Sequence, residues 1–189
     1  MSVALYDFKP MTYDDYYKME KGDKRYELID GELYAMAAPS INHQTVLVNL
    51  IALFHAHLRG GRKCKLLPAP IDVRLNHKKG DDTVLQPDLI VVCDPSKIKD
   101  GKSVRGAPDL VVEISSPSTR KHDLNKKLPK YREAGVAEIW LIDPETKMIM
   151  VFKPRDTEEN LARIYTTDEE ITPGILPDLV MDTNHIFEM

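Results

Sequence analysis

Two short apolar runs, each carrying an acid, limit what this chain can fold into more than any other feature. From Gln86 to Tyr131 the sequence reads QPDLIVVC, a polar connection, PDLVVEIS, and then SPSTRKHDLNKKLPKY. Both runs are the length of a buried strand and rich in β-branched residues. Yet Asp88 opens the first and Glu113 sits inside the second, where hydrocarbon is expected. Carboxylates are seldom buried unless paired, so the pattern suggests a cation site.

An antiparallel pairing of Val84–Cys93 with Pro108–Ser115, with Cys93 opposite Pro108, makes paired positions sum to 201 and sets Asp88 opposite Glu113. Directly opposed residues share a face with Cβ atoms roughly 4.5 to 5.5 Å apart, close enough for two carboxylates to hold one divalent cation. A slip by one residue would place them on opposite faces. Hard oxygen ligands of this kind suit Mg²⁺ or Mn²⁺, which leave positions open for a phosphate. Asp109 repeats the Pro-Asp dipeptide, but it lies four residues from Glu113 on one strand, about 13 Å away at ~3.3 Å per residue, and cannot share its cation.

A lysine is the expected third component, to stabilise negative charge or to position water. Two residues after Glu113, on the same face, stands Ser115. The following segment repeats apolar residues at Leu124, Leu128 and Tyr131, a helical stripe ending near Gly135, with Pro129 as an irregularity that kinks it or sits in a first turn. At ~100° per residue, Lys127 lies about 60° from this stripe, and Lys130 and Lys126 lie about 120° and 160° away. Lys127 is therefore the lysine able to reach the sheet.

Thr12 and Asp15 form a capping-box variant that opens a short helix through about Met19. YELI and ELYAM flank Asp30-Gly31, a type I′ hairpin pattern in which Tyr26, Leu28 and Leu33 pack one face. After Ser40 the spacing of Ile41, Val46, Leu47, Leu50, Ile51, Phe54 and Leu58 predicts a helix ending at Gly60-Gly61. Lys63–Leu75 reads as a strand with an edge or bulge near Pro68 and Pro70. Ala137–Ile142 and Met148–Phe152 read as a hairpin, Arg163–Thr166 as a strand, and ITPGILPDLVMD as a tail wrapping over the body. The order argues for an α+β, or mixed α/β, sheet flanked by helices.

At 189 residues, against a prior of about 150 per domain, one decorated domain is expected. Its divisions are an N-terminal helix and hairpin (1–40), a core (41–153) and a C-terminal extension (154–189). No stretch approaches the roughly 18 apolar residues of a membrane span, and the N-terminus lacks a secretory pattern, so a cytoplasmic protein is expected. Cys64 and Cys93 are too few for a thiolate zinc site and are expected to be a reduced, buried pair. The net charge is −4, but Lys97–Arg132 holds ten Lys or Arg against four Asp or Glu, which concentrates basic charge around the candidate site.

Several residues quoted above combine with others into a known pattern. Pro87-Asp88, Glu113-Ile114-Ser115, Ser-Pro-Ser-Thr, Asp123, Lys127, Tyr131, Gly135-Val136, Glu138-Ile-Trp-Leu-Ile-Asp and the Tyr-Glu-Leu-Ile-Asp-Gly-Glu hairpin resemble a largely uncharacterised restriction-endonuclease family of the PD-(D/E)XK nuclease superfamily. The resemblance covers most of the chain. It implies a restriction-endonuclease-like core of order αβββαβ with the site on a central mixed sheet, Mg²⁺-dependent phosphodiesterase activity, and Asp88 and Glu113 as metal ligands. Ser115 occupies the position of the superfamily's lysine, and the resemblance implies that Lys127 is the migrated replacement. Enzymes of this superfamily often act as symmetric dimers, so a homodimer is a further expectation.

The expected activity is a metal-dependent endonuclease acting on nucleic acid, most readily DNA, with Asp88, Glu113 and the Ile114 carbonyl as ligands and Lys127 supporting the attacking water. Lys97, Lys99, Lys102, Lys121, Lys126 and Lys130 would contact phosphates without reading bases. Among accessory candidates, Asp123 belongs to the resemblance, His43 reads more readily as a capping or packed residue, and Glu27 and Glu32 read as surface charges, Glu32 being able to approach the site. Ser115, Ser118 and Thr119 lack the His and Asp partners of a nucleophile and read as turn formers. The alternative is an inactive nuclease fold that binds nucleic acid or protein.

Overall fold

A computed structural model describes residues 10–20, 22–59, 63–78, 80–116, 119–154 and 162–188. The predicted Gly60-Gly61 helix stop, Pro117 and Ser118 lie outside them. Helix α1 (Tyr13–Lys18) opens on the Thr12/Asp15 capping box. Strands β1 (Tyr26–Ile29) and β2 (Glu32–Ala35) form the hairpin, with φ of 52° at Asp30 and 79° at Gly31, the positive values a type I′ turn requires. Helix α2 (Ile41–Leu58) is capped by Ser40 and buries Val46, Leu50, Phe54 and Leu58. Ile41, assigned to its packed stripe from the sequence, is instead 80% exposed.

The central sheet is built from β3 (Lys65–Pro68), β5 (Leu89–Val92), β7 (Leu110–Ile114), β8 (Glu138–Asp143), β9 (Met148–Phe152) and β10 (Arg163–Tyr165), in spatial order β10-β9-β8-β7-β5-β3. Within this sheet, among the described residues, only β7 and β8 run parallel, and a helical crossover joins them. The crossover consists of α3 (Arg120–His122), a π turn (Asp123–Lys127) and α4 (Leu128–Glu133). The π turn explains Pro129. The Leu128 N–H bonds back to the Asp123 carbonyl, and the proline, which has no N–H, falls in the first turn of the renewed α-helix. In chain order α2, β3, β5, β7, the crossover and β8 give the expected αβββαβ core of a mixed sheet.

The run from Val84 to Cys93 is not one strand. Val84 bridges Leu28 of the hairpin and Leu85 bridges Val73, and only Leu89–Val92 joins the central sheet. Pro87, with its fixed φ and missing N–H, stands at the change of partner. Past β3 the chain crosses the cis Ala69-Pro70 bond, and β4 (Val73–Arg74) pairs with β6 (Val104–Arg105) outside the main sheet. Cys64 and Cys93, expected to be reduced, form a disulfide. They extend the β3–β5 register in which Lys65 opposes Val92, so the ladder sets them face to face.

Core residues separate onto the two sheet faces. Leu89, Val91, Leu110, Val112, Trp140 and Ile142 pack with α2 and with the C-terminal elements β11 (Glu170–Ile171), β12 (Met181–Asp182) and α5 (Thr183–Phe187), which wrap over that face as expected. Ile90, Val92, Val111, Ile139 and Leu141 pack with Leu128 and Tyr131 of the crossover. No helix among the described residues is long and apolar enough to cross a membrane.

Candidate functional site

Leu89, Ile90 and Val91 oppose Val112, Val111 and Leu110, so paired positions sum to 201 and the register continues to Asp88 opposite Glu113. Strand alternation puts Asp88 with Ile90 and Glu113 with Val111, on the crossover face. Asp88 Oδ2 accepts the Ile114 N–H at 2.7 Å and lies 3.2 Å from His43 Nε2, which descends from the first turn of α2. A strand residue directs its N–H and C=O to the same side, so the Ile114 carbonyl also faces the Asp88 side of β7. Asp109 is elsewhere: its Oδ2 accepts the Cys93 N–H at 2.8 Å.

Lys127 is only 5% exposed and its ammonium lies among three carboxylates. Glu27 Oε1 is 3.0 Å away, Glu113 Oε2 3.2 Å and Asp123 Oδ1 3.5 Å. The π turn turns both Asp123 and Lys127 inward, and Ser115 Oγ donates to Asp123 Oδ2 at 2.9 Å. Tyr131, one α-helical turn beyond Lys127, donates its hydroxyl to Glu113 Oε1. Thus Ser115 holds the helix acid, and the lysine comes from the helix itself.

Two members of this cluster were missed from the sequence. Glu27, read as a surface charge, is 2% exposed and bonded to Lys127. Tyr26 and Leu28 do pack on the outer cluster with Tyr16 and Val84, as expected. The same alternation puts Glu27 with Ile29, which belongs to the main core, and the apolar Ile29 was the available clue that this second face is not solvated. Tyr131 was placed in the apolar stripe and among the residues of the family resemblance, but was given no role at the site, and nothing in helical spacing distinguishes a packed phenol from one whose hydroxyl serves a carboxylate.

Burial pushes the Glu113 carboxyl well above the usual carboxylate range. Lys127 pulls it down, while Asp123, Asp88 and Glu27 push it further up. Burial acting alone would lower Lys127, but Glu113, Glu27 and Asp123 outweigh it and hold the amine above its ordinary value, so it is charged at neutral pH. Burial, reinforced by Glu113, also raises the Tyr131 phenol, which keeps its proton and donates it in the hydrogen bond. The cluster therefore has more carboxylates than its single ammonium neutralises. That surplus, with the hard oxygens of Asp88, Glu113 and the Ile114 carbonyl, suits a divalent cation, although among the described residues no three His, Cys, Asp or Glu side chains already converge as ligands.

The other predicted residues are placed unevenly. Glu32 is exposed, accepts the Tyr34 hydroxyl at 2.7 Å, and is not brought to the cluster. Lys97, Lys99 and Lys102 lie on the connection from the end of β5 to the start of β7, roughly 16 Å of strand from Asp88. Lys97 Nζ is occupied by the Ala107 carbonyl at 2.7 Å. Lys121 and Lys126 are exposed on the crossover, Lys126 5.9 Å from the Tyr34 ring, and Lys130 pairs with Asp30 of the hairpin turn.

Comparison with known proteins bears on the family and the fold. An uncharacterised protein of Synechocystis sp. (strain ATCC 27184 / PCC 6803 / Kazusa), slr1290, is 31% identical over 144 residues, covering 75% of this chain and 72% of that protein. A crystal structure described as a putative nuclease belonging to DUF820, from Anabaena variabilis ATCC 29413, superposes with a TM-score of 0.76 at 19% identity, covering 94% of this chain and 98% of that one, and so shares the fold. A uridine kinase of Borrelia turicatae (strain 91E135) is 29% identical over 119 residues, 62% of this chain and 52% of that protein. Phosphate-cradling kinase loops need a first glycine and a following helix. Here Gly101-Lys102-Ser103 has Ser96 at the first-glycine position and leads into strand β6. Residues 13–184 match the Uma2 family, described as "Putative restriction endonuclease", and the chain belongs to that family.

Proposed function

We propose that this protein is a divalent-cation-dependent endonuclease that hydrolyses phosphodiester bonds, with DNA as its substrate. The observation that carries the reading is the placement of Asp88 and Glu113 opposite one another on neighbouring strands, with the charged Lys127 beside Glu113. Asp88, Glu113 and the carbonyl of Ile114 would hold Mg²⁺ or Mn²⁺, which when bound supplies an activated water and charge neutralisation at the scissile phosphate. Lys127 presents a permanent positive charge to negative charge developing at that phosphate. Tyr131 and Ser115 keep Glu113 and Asp123 in their orientations. His43 steadies Asp88 from the opposite side of the sheet end. Lys121 and Lys126, exposed next to the cluster, would meet phosphates flanking the scissile bond, giving affinity without base preference. The lysines of the β5–β7 connection are too distant to flank the same bond.

The test is cleavage of supercoiled plasmid and of single-stranded DNA with Mg²⁺ or Mn²⁺, comparing the wild type with Asp88→Ala and Glu113→Ala. Equal cleavage by all three eliminates the assignment. A second reading, a nuclease fold that binds without turnover, is favoured by Ser115 at the superfamily's lysine position and by the engagement of Lys127 with three carboxylates. DNA binding with no Mn²⁺ binding by calorimetry and no cleavage would select it.

A further inference from the structure

The N-terminal hairpin reaches the cluster through the Glu27 carboxylate. Glu27 Oε1 accepts the Gln86 backbone N–H at 2.8 Å and lies 3.0 Å from Lys127 Nζ. Gln86 is two residues before Asp88 in the chain, with the conformationally fixed Pro87 between them. A single carboxylate oxygen thus ties the start of the Asp88 strand to the lysine of the crossover helix. Glu113 and Asp123 also contact Lys127, but Glu113 belongs to the carboxylate pair itself and Asp123 lies one turn away on the lysine's own helix. Among the described carboxylates around Lys127, Glu27 alone comes from a third element.

That element is well anchored. Leu28 and Val84 exchange backbone hydrogen bonds at 2.9 and 2.7 Å, and the Tyr16 hydroxyl donates to the Tyr26 carbonyl at 2.9 Å. Lys130 of the crossover pairs with Asp30 at the hairpin tip. The Gln86 side chain is held as well, donating to Asp72 at 2.8 Å and accepting from Arg25 at 3.0 Å. Removing one partner of a buried ion pair is strongly destabilising, and an apolar residue here would also leave the buried Gln86 N–H without its acceptor. The position therefore requires a charge with a defined reach.

Building on the nuclease reading, we propose that Glu27 is a positioning residue: it sets the Lys127 ammonium at a fixed place relative to the Asp88 strand, so that the hairpin is part of the reaction machinery. A carboxylate shortened by one methylene cannot reach both partners from the same backbone. A neutral amide of equal length keeps an acceptor for Gln86 but loses the attraction for the ammonium. The two losses separate geometry from charge.

The experiment compares wild type, Glu27→Asp and Glu27→Gln. Plasmid cleavage is followed as kcat and KM, melting temperature monitors folding, and the lysine ammonium signals are read by ¹H–¹⁵N NMR with Lys127→Met for assignment. The expected result is a kcat about tenfold to a hundredfold lower in both variants, the scale of a misplaced catalytic group, with KM unchanged. The slowly exchanging Lys127 ammonium signal should be displaced or lost in both, while the other lysine signals stay. Wild-type kcat and a wild-type Lys127 signal in Glu27→Asp would overturn the proposal, as would a change confined to KM. Absence of cleavage by the wild type would end the nuclease reading, and with it the role in turnover, whereas the NMR comparison would still decide whether Glu27 places the ammonium. If Glu27→Asp fails to fold, the length-matched Glu27→Gln decides through the same two readouts.

Discussion

Pro87-Asp88 leads into β5 and Pro108-Asp109 leads into β7, two antiparallel neighbours, and the two aspartates do the same local work. Asp88 accepts the N–H of Ile114 at the end of β7, and Asp109 accepts the N–H of Cys93 past the end of β5. Each side chain thereby completes a strand ladder that the backbone leaves unpaired. The two ends differ in what stands opposite. Asp88 faces Glu113, whereas the register places Val92 opposite Asp109, with the disulfide adjoining. A Pro-Asp strand start is thus a structural device in itself. What sets the Asp88 end apart is a second acid, a lysine and a histidine supplied by other elements.

The comparison can be broken first by activity. Asp88→Ala or Glu113→Ala should lower DNA cleavage by about two to three orders of magnitude, the effect of removing preorganised charge, and plasmid nicking assays under saturating metal would show it. Asp109→Asn should leave that rate unchanged. Comparable losses at both aspartates would mean that the two ends are not chemically distinct.

Stability offers the next contrast. Lys127→Met leaves Glu27, Glu113 and Asp123 without their cation in a buried cluster and should cost about 3 to 5 kcal/mol, measured by urea unfolding. The exposed Lys126→Met, adjacent in sequence, should change stability by less than about 0.5 kcal/mol. Reduction of Cys64–Cys93, which closes a loop of 29 residues in separation, should lower stability by about 3 kcal/mol in the same assay. The disulfide sits at the Asp109 end, so cleavage by the reduced, still folded protein should persist. Smallest of all, Asp109→Asn should cost about 1 kcal/mol for one weakened hydrogen bond, with no change in Mn²⁺ affinity by calorimetry.

Much of the geometry was legible because its determinants are local. Matching strand ends gave the register that sets Asp88 opposite Glu113, and helical spacing selected Lys127 over Lys126 and Lys130 as the lysine facing the sheet. The Asp30-Gly31 turn and the capping box were likewise readable over four to eight residues. The split of Val84–Cys93 between two sets of partners was not, since an apolar run looks the same whichever strand it joins. Nor was the position of Lys97, Lys99 and Lys102: they are close to Asp88 in sequence, yet an extended strand carries them to the opposite end of the sheet.

By itself, then, the sequence determined the periodicities, the turns, a mixed sheet flanked by helices, and the shared face of Asp88 and Glu113. Tertiary structure decided that Glu27 and Tyr131 enter the cluster, that Cys64 meets Cys93, and that His43 reaches Asp88. The physical reason is range. Backbone periodicity fixes which way a side chain points within its own element, but burial, ion pairing and the raised Glu113 carboxyl depend on which distant elements close over it.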